Sequence, residues 1–330
     1  MLCDHIICCA LNGANPFAAH ILTHCRTIKK NKLDGIQPEG ALGMAGPLSH
    51  IRVLDLSRVL VGPRALQPAY DFLTQAMCGL MSVTGVRDDQ PSAGPMKVGI
   101  PIVDLVTGIY ATTAVVAALA ARVVTGKGKY IDMAMFDVGV SLLSNQAMNL
   151  LLTGKAPRRT GNAHPNIQPQ KVYSCRGGDI ILIVGNDQQF ASLCKVPEMP
   201  YLSSDERFRT NGARVRNQEV PQSILEHSLL TRNRSECLVG LIEAGVPAGP
   251  INTIPKALND PQVRQREMVR NYEFLAAGSV PLVVSPFRFG ESDGNASRPL
   301  PELSQHTGEV LAEFGTGNSE VAQLRECGVV

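Results

Sequence analysis

The sequence has no tryptophan, and aromatic residues make up only 5% of its 330 positions. Proteins that bind single-stranded nucleic acid stack the bases on aromatic side chains, and this composition offers few such platforms. The 31 basic and 29 acidic residues leave a formal net charge of +2, without a dense Lys/Arg run. A strongly basic patch is what attracts a protein to nucleic acid or to an anionic membrane. The composition therefore predicts no nucleic-acid partner and no membrane partner.

The nine cysteines form no C-x-x-C pair and show no metal-ligand spacing, so no metal site is expected. Scattered thiols in odd number are typical of reduced, mostly buried cysteines, which favours an intracellular reducing compartment, the cytoplasm or the mitochondrial matrix. We expect no segment to reach the ~20 apolar residues that span a bilayer. The apolar run Ile6–Leu11 follows Asp4 rather than basic residues, so it is a poor secretory signal. We expect residues 1–46 to be an extension outside the fold.

Strands and helices alternate through the first half of the chain. This β-α-β rhythm predicts an α/β fold whose large domain has a truncated Rossmann-like parallel sheet, with ligands at the carboxyl ends of the strands. No G-x-G-x-x-G follows the first strand, which disfavours a nicotinamide-dependent enzyme. The predicted elements are a strand at Ile51–Ser57, a helix at Pro68–Thr84 with Phe72, Ala76, Leu80 and Met81 on one face, a helix from Asp104 to Val124 ended by Gly126, a strand at Tyr130–Met135, and a helix at Asp137–Thr153 ended by Gly154.

A smaller α+β domain is predicted after a Pro- and Gly-rich stretch at 155–170. We place the large domain at 47–172 and 283–330, so that the C-terminus returns to it, and the small domain at 173–282. Its predicted elements are a hairpin of Lys171–Cys175 with Ile180–Val184 and helices at Asp187–Lys195, Gln218–Leu229 and Arg234–Ala244; a strand at Val280–Phe289 and a helix at Gln305–Phe314 follow.

Asp104 ends the apolar run Val98–Val103 and opens the amphipathic stretch Leu105–Ala111. A carboxylate at this strand-to-helix junction is predicted to be the helix N-cap, which contributes about 1 kcal/mol by accepting a backbone N–H. The same position suits a nucleophile, because free amides and the helix dipole keep a carboxylate ionised and can hold charge on an acylated intermediate. The local pattern leaves both interpretations open, and they are compatible.

A series of short motifs runs from about residue 47 to the C-terminus. It comprises Gly46-Pro47-Leu48, Ile51–Leu56, Arg58–Pro63, Gly79–Gly85, Val103-Asp104-Leu105 with Gly108, Thr125–Gly128 with Ile131-Asp132, Gly161–Asn166, Asn186–Phe190, Asp205–Phe208, Arg214–Asn217, Gly245–Ile251, Asp260–Val263 and Gln305-His306-Thr307. In this order the motifs resemble those of the class III CoA-transferases, the family of formyl-CoA transferase and carnitine CoA-transferase. The succinyl-CoA:glutarate CoA-transferases of that family are the nearest in resemblance.

The resemblance implies a covalent mechanism on Asp104. In that family the aspartate attacks an acyl-CoA thioester, and an anhydride and then an aspartyl-CoA thioester form before the acceptor carboxylate takes the CoA. It also implies acyl-CoA and carboxylate substrates, no permanently bound cofactor, and an interlocked homodimer. The nearest resemblance favours succinyl-CoA and another dicarboxylate as substrates.

The resemblance further implies a set of residues around the CoA thioester. Val59, Leu60 and Val61 would line the thioester, and the Gly161–Asn166 loop would lie over the active site, although an ordinary glycine turn is the alternative there. Since transfer needs no general base, we interpret His164 as a hydrogen-bonding residue of the loop. Tyr70 stands where the racemases of the family need a histidine, so racemisation is disfavoured. The full set expected to bind the CoA thioester is Arg58, Val59, Leu60, Val61, Tyr70, Lys97, Gly161, Asn162 and His164.

The chain departs from the family pattern at Pro63–Pro68, which directly joins motifs that a long segment otherwise separates. We therefore expect an internal deletion that removes part of the nucleotide-binding half. Cys237 stands where the pattern has tryptophan, and Ser304 where it has glycine. Two functions remain open: a working CoA-transferase, or a catalytically impaired or inactive truncated family member that acts at most as a dimerising remnant.

Overall fold

The computed structural model describes residues 7–9, 53–55, 70–274, 277–288, 301–313 and 315–330. The described residues up to Ile251 belong to one compact unit, and those from Asn252 onward to a second. Helices and strands are mixed, as the α/β prediction requires. The helices are α1 Asp71–Met77, α2 Leu80–Val83, α3 Ile102–Thr125, α4 Met135–Ser141, α5 Ser144–Thr153, α6 Asp187–Lys195, α7 Tyr201–Ser204, α8 Asn211–Arg216, α9 Glu219–Leu230, α10 Arg234–Glu243, α11 Ile254–Leu258, α12 Pro261–Gln265, α13 Thr307–Glu313 and α14 Asn318–Glu326.

The strands that the structure describes fall into four separate sheets. The first is a parallel pair, in which Ile7–Cys9 aligns with Val53–Asp55, so part of the predicted N-terminal extension hydrogen-bonds to the predicted first strand. The other three sheets are antiparallel. In chain order the strands are β1 Ile7–Cys9, β2 Val53–Asp55, β3 Gly85–Val86, β4 Gly94–Pro95, β5 Gln170–Cys175, β6 Gly178–Ile183, β7 Ala248–Pro250, β8 Val269–Phe274 and β9 Gly278–Val283.

The predicted helix at Pro68–Thr84 is divided in two by Gly79. This glycine has a φ of 93°, in the left-handed region that ends a helix and favours glycine. The predicted apolar face is also wrong, because Phe72 is 58% exposed, whereas Asp71, Thr74 and Gln75 of α1 are buried. The polar face is turned inward because its side chains hydrogen-bond to backbone groups of a neighbouring segment.

Helix α3 begins at Ile102 with Pro101 as its N-cap and ends at Gly126, whose φ of 65° forms the expected glycine cap. Its 24 residues include an 18-residue window with a mean hydropathy of 1.8, so α3 is long and apolar enough to cross a membrane by length and composition. The expectation that no segment of the chain reaches this length is therefore wrong for α3. The core helix of a water-soluble protein passes the same test, although only 17% of this window is buried here.

The predicted strand at Tyr130–Met135 does not form. Only Ile131 makes an isolated bridge, and α4 already begins at Met135. An alternating pattern becomes a strand only when a neighbouring strand takes up its backbone hydrogen bonds. The helical stretch that follows is divided before Ser144, which has a φ of 45°, and it ends at Gly154 as predicted.

The main core lies around the sheet β5–β6–β7. Strands β5 and β6 form the predicted hairpin, and β7 pairs with the other edge of β6. The three predicted helices of this region are confirmed as α6, α9 and α10. Their apolar faces cover the sheet and bury, among others, Tyr173, Ile180, Leu182, Phe190, Leu193, Leu225, Leu229 and Leu241.

A buried arginine ties this core together. Arg214 of α8 is fully buried and donates hydrogen bonds to the backbone oxygens of Gln168 and Phe208, at 2.7 and 2.9 Å. It also pairs with Asp187 at 2.8 Å and lies 4.4 Å from the centre of the Phe190 ring. A guanidinium can be buried in this way because almost every donor it has meets an acceptor.

The second unit contains the hairpin β8–β9 and four short helices. Strand β9 overlaps the predicted strand at Val280–Phe289 but ends at Val283, whereas β8 and α14 were not predicted from the sequence. Helix α13 corresponds to the predicted helix at Gln305–Phe314. Ser304, which replaces the family's glycine, has a φ of 63°, a backbone conformation that glycine adopts more readily.

Candidate active site

Asp104 is the third residue of α3 and its side chain is exposed. It is therefore not the N-cap that the sequence pattern predicts. The helix starts two residues earlier because Pro101, which has no N–H to satisfy, is tolerated where a helix begins. The carboxylate of Asp104 thus projects from the first turn of α3, at the positive end of the helix dipole.

The carboxylate that caps α3 belongs to Asp71. Its Oδ1 accepts hydrogen bonds from the backbone N–H of Val103, at 2.7 Å, and of Asp104, at 3.3 Å. The N–H of Ile102 donates to Ile100 and that of Leu105 to Pro101. The backbone amides at the start of α3, which we expected to be free beside Asp104, are therefore already hydrogen-bonded. Asp71 replaces a local cap, although it lies 32 residues before Val103 in the chain.

Gln75 fixes the segment that leads into α3. Its Nε2 donates to the Asp71 carboxylate, and its Oε1 accepts from the backbone N–H of Val98 at 2.9 Å. Asp71 and Gln75 lie one turn apart on the buried face of α1, so a single helix face holds both ends of the 98–104 segment. This arrangement determines where the backbone of Asp104 lies.

The same arrangement affects the proton affinity of Asp104. Partial burial raises the pKa of this carboxyl group above its ordinary value of 3.8, and the nearby negative charge of Asp71 raises it further. Both effects disfavour the ionised form. A carboxylate with a raised pKa is more basic once ionised, which suits a nucleophile.

The Gly161–Asn166 loop is held by hydrogen bonds at several points. Asn166 exchanges two side-chain hydrogen bonds with Asn149 of α5, at 3.0 and 2.9 Å. The Nδ1 of His164 accepts from the backbone N–H of Asn166 at 3.1 Å, and burial lowers the pKa of this histidine. His164 thus makes a hydrogen bond within the loop, and its expected part in binding the thioester stays a prediction. Gly161 has a φ of 60°, and a Cβ there would lie 3.4 Å from Arg87.

The structure brings part of the predicted site together. Tyr70 is 64% exposed and precedes Asp71, which accepts from the start of α3, and Lys97 is exposed and precedes Val98, which donates to Gln75. No described contact joins the Gly161–Asn166 loop, with its exposed Asn162, to Asp104. Four of the residues predicted to bind the thioester lie outside the described residues: Arg58, Val59, Leu60 and Val61. The predicted deletion at 63–68 also lies outside them. Both stay predictions.

Two residues of this site were missed from the sequence, Asp71 and Gln75. The pattern that could have revealed them is a pair of polar residues four positions apart in a helix. We predicted an apolar buried face for that helix, so the polar pair was overlooked. Among the described residues, no group of three or more His, Cys, Asp or Glu side chains is placed to hold a metal ion.

Comparison with known proteins gives a consistent result. The model of CoA-transferase family III matches residues 61–307. The succinate–glutarate CoA-transferase of Agrobacterium fabrum is 40% identical over 255 residues, which cover 77% of this chain and 63% of that protein. The succinyl-CoA:glutarate CoA-transferase of Homo sapiens is 33% identical over 270 residues, which cover 82% of this chain and 61% of that protein.

A solved structure agrees with these matches. The crystal structure of a CAIB/BAIF family protein from Brucella suis superposes with a TM-score of 0.60 and 40% identity, covering 77% of this chain and 65% of that one. The chain thus spans less than two thirds of the length of each of these three proteins. The resemblance inferred from the motifs is confirmed, and the chain belongs to CoA-transferase family III.

Proposed function

We propose that this chain transfers CoA between an acyl-CoA thioester and a free carboxylate, with Asp104 as the covalent carrier. The observation that carries the proposal is an exposed carboxylate in the first turn of α3 whose backbone is held by Asp71 and Gln75. Two relatives bear names that describe CoA transfer between succinate and glutarate, which supports dicarboxylates as substrates. No permanently bound cofactor takes part in the proposed reaction, since the CoA thioester enters as a substrate.

The proposed reaction has four steps, which take place at the carbonyl carbons of the donor, of Asp104 and of the acceptor. An oxygen of Asp104 attacks the donor thioester, so that an Asp104–acyl anhydride forms and CoA thiolate leaves. The thiolate then attacks the Asp104 carbonyl, which gives an Asp104–CoA thioester and frees the donor acid. The acceptor carboxylate attacks this thioester to form a second anhydride and release the thiolate. Attack of the thiolate on the acceptor carbonyl yields the new acyl-CoA and regenerates Asp104.

The residues around Asp104 contribute chiefly by positioning. A carboxylate can both attack and leave at similar cost, so the reaction depends on holding it at a fixed distance from the thioester. Asp71 and Gln75 would supply this by fixing the first turn of α3. In this proposal the Gly161–Asn166 loop covers the bound thioester, and Arg58, Val59, Leu60, Val61, Tyr70 and Lys97 contact it.

Trapping with hydroxylamine tests the covalent step. We expect the chain, incubated with succinyl-CoA and hydroxylamine, to carry a hydroxamate on the Asp104 peptide, detectable by mass spectrometry. Asp104→Asn should abolish both the hydroxamate and CoA exchange. Asp137 is a matched control, because it is also exposed and also the third residue of a helix, α4. Exchange at the parental rate in the Asp104 variant would refute the assignment.

A non-catalytic role is the second candidate, and a specific observation favours it. Helix α3 presents apolar side chains at helical spacing that are largely exposed: Leu105 52%, Ile109 64%, Val116 48% and Val123 87%. Such a stripe is typical of a helix that packs against another protein surface. We propose a homodimer in either case. If wild-type protein shows neither exchange nor a trapped intermediate yet self-associates, the dimerising remnant is the better description.

We also propose an intracellular, reducing location, either the cytoplasm or the mitochondrial matrix. The five cysteines among the described residues are free thiols, and four of them are buried, which fits such a compartment. Targeted fluorescence microscopy of the full chain would test this location.

A further inference from the structure

A cavity of about 320 Å³ lies beside the Gly161–Asn166 loop. Its volume is at the small end of the range of roughly 300–1,000 Å³ that is usual for small-molecule sites. The cavity therefore suits a short acid rather than a nucleotide. Its walls are formed by Arg87, Asp88, Asp89, Arg158, Arg159, Thr160, Ala163, Gln218 and Gln222.

Two of the three arginines in this wall are occupied by carboxylates. Arg87 donates from Nε and Nη2 to the two oxygens of Asp89, at 3.0 and 2.6 Å. Arg159 pairs with Asp88, and its Nη1 also donates to the backbone oxygen of Ser82 at 3.5 Å. These pairs leave one positive charge in the cavity that the lining carboxylates do not balance.

Arg158 carries that charge. Its side chain is exposed, and none of the described carboxylates forms an ion pair with it. An arginine guanidinium presents parallel N–H groups that match the two oxygens of a carboxylate. Its two neighbours are held in place by Asp88 and Asp89, so the wall around Arg158 is already ordered before a ligand enters.

Two glutamines of the lining offer amide groups. Gln218 and Gln222 lie four residues apart, hence on one face at the start of α9. Gln222 donates from Nε2 to Gln168 at 2.7 Å, and Gln218 accepts from Gln168 through Oε1 at 3.4 Å. The Gln218 Nε2 is then available to a second acceptor. The cavity that holds the charge of Arg158 thus also contains a neutral donor.

The cavity is connected to Asp104 through one short hairpin. Residues 87–89 are the turn between β3 and β4, and the strand that follows leads to Val98, which Gln75 holds beside the start of α3. The turn also approaches the Gly161–Asn166 loop, since a Cβ at Gly161 would lie 3.4 Å from the Arg87 side chain. The cavity wall and the segment that positions Asp104 therefore belong to the same hydrogen-bonded element.

We propose that this cavity binds the non-reacting carboxylate of a small dicarboxylic acid, with Arg158 as the principal ligand and Gln218 as a supporting donor. The inference rests on the proposed function, since it assigns substrate selection to a region outside the reacting carboxylate. The cavity would favour a diacid over the monoacid that lacks only its second carboxylate, because only the diacid supplies a second negative charge.

Ligand-observed NMR titration of the purified full chain with glutarate, butyrate and inorganic phosphate tests the proposal. We expect wild type to bind glutarate more tightly than butyrate. Arg158→Gln should weaken glutarate binding about 10-fold or more and leave butyrate binding unchanged. Arg158→Lys should give an intermediate result, because it keeps the charge but loses the paired N–H groups. Arg216→Gln, an exposed arginine outside the cavity, is the matched control and should behave as wild type.

Three results would overturn the proposal: no binding of glutarate by wild type, unchanged binding in Arg158→Gln, or binding of phosphate but not glutarate through Arg158. Asp104→Asn separates this inference from the proposed function. It should abolish transfer and still bind glutarate in an Arg158-dependent manner. If wild type performs no transfer but shows that binding, the function fails and the binding site stands.

Discussion

At the scale of single residues, the main feature of this site is that two neighbouring aspartates have different tasks. Asp71 is buried, and its carboxylate is consumed by the backbone amides of Val103 and Asp104. Asp104 keeps its side chain exposed and unbonded to those amides. In the proposed mechanism the pair divides structural capping from chemistry, and the capping charge is close enough to raise the pKa of Asp104.

This division predicts the pH dependence of an Asp71→Asn variant. Two causes raise the pKa of Asp104, and the substitution removes the charge of Asp71 while leaving an oxygen that can still accept from Val103. The pKa of Asp104 should fall, so the acid limb of the acylation rate should move to lower pH. Single-turnover acylation measured across acidic pH checks this shift.

Asp137→Asn is the control for the Asp71 variant, since Asp137 lies in another helix. Its acid limb should coincide with that of wild type. An unchanged limb in Asp71→Asn would show that the charge of Asp71 does not reach Asp104. A circular dichroism spectrum like that of wild type confirms that the helices remain.

At the scale of elements, α1 is the support on which the site depends. It contacts both α3 and α4. Gly139 allows the close approach of α4, because a Cβ at this position would lie 2.8 Å from the Cys78 sulfur and 2.9 Å from its Cβ. Such distances leave no room for a side chain without a shift of one helix.

Two helix glycines should therefore respond oppositely to substitution. Gly139→Val should lower the free energy of unfolding by about 1–3 kcal/mol through overpacking, and should slow CoA transfer because α1 carries Asp71 and Gln75. Gly108→Ala in α3 has no described atom within 4 Å of the new Cβ and should raise the free energy of unfolding by about 0.5–1 kcal/mol. Urea denaturation of both variants gives the two values. Equal responses would mean that α4 does not approach α1 this closely.

At the scale of the whole molecule, stability should depend on the protonation of His164. Burial lowers the pKa of His164 below its ordinary value of 6.5, so the folded chain binds this proton less readily than the unfolded chain. The stabilising contribution is complete above about pH 6.5 and is lost as the pH falls through the lower, folded-state pKa. Asp104 acts with the opposite sign, because its pKa is raised in the folded chain and its stabilising contribution is lost as the pH rises through that raised pKa.

Thermal unfolding at about pH 7.5 and about pH 5.5 measures this contribution. The loss of Tm between the two should be smaller in His164→Asn than in wild type. His227→Asn, an exposed histidine of α9, should retain the wild-type loss. If His164→Asn loses as much Tm as wild type between the two pH values, a group other than His164 causes the pH dependence.

The proposed dimer can be tested on α3 at the same scale. Ile109→Glu places a charge in the middle of the exposed apolar stripe and should shift wild-type dimers to monomers by at least about 10-fold in Kd. Sedimentation equilibrium of the full chain measures the shift. Glu313→Ile in α13, an exchange of the same two residue types on another helix, is the comparison. If Ile109→Glu dimerises with the same Kd as wild type, the exposed stripe of α3 does not form the dimer interface.

Much of the fold could be predicted because it depends on local patterns. The hairpin around Arg176-Gly177, the helix at Asp187–Lys195 and the glycine caps at 126 and 154 follow from periodicity and from backbone freedom at glycine. Family membership also follows from the ordered motifs, and with it the interest in Asp104. All of these signals lie within a few residues of the feature they predict.

The remaining features depended on contacts between distant parts of the chain. The Asp71 cap spans 32 residues and the Gln75 contact with Val98 spans 23, so no local pattern could show that the polar face of α1 is the buried one. The alternation at Tyr130–Met135 joins none of the four sheets of the described residues, and only Ile131 makes an isolated bridge. By itself the sequence determined the family and the glycine ends of two helices, Gly126 and Gly154, and it singled out Asp104 as the proposed carrier. Only the tertiary structure decided which carboxylate binds the amides of α3, because a backbone N–H bonds to whichever acceptor the packing brings near.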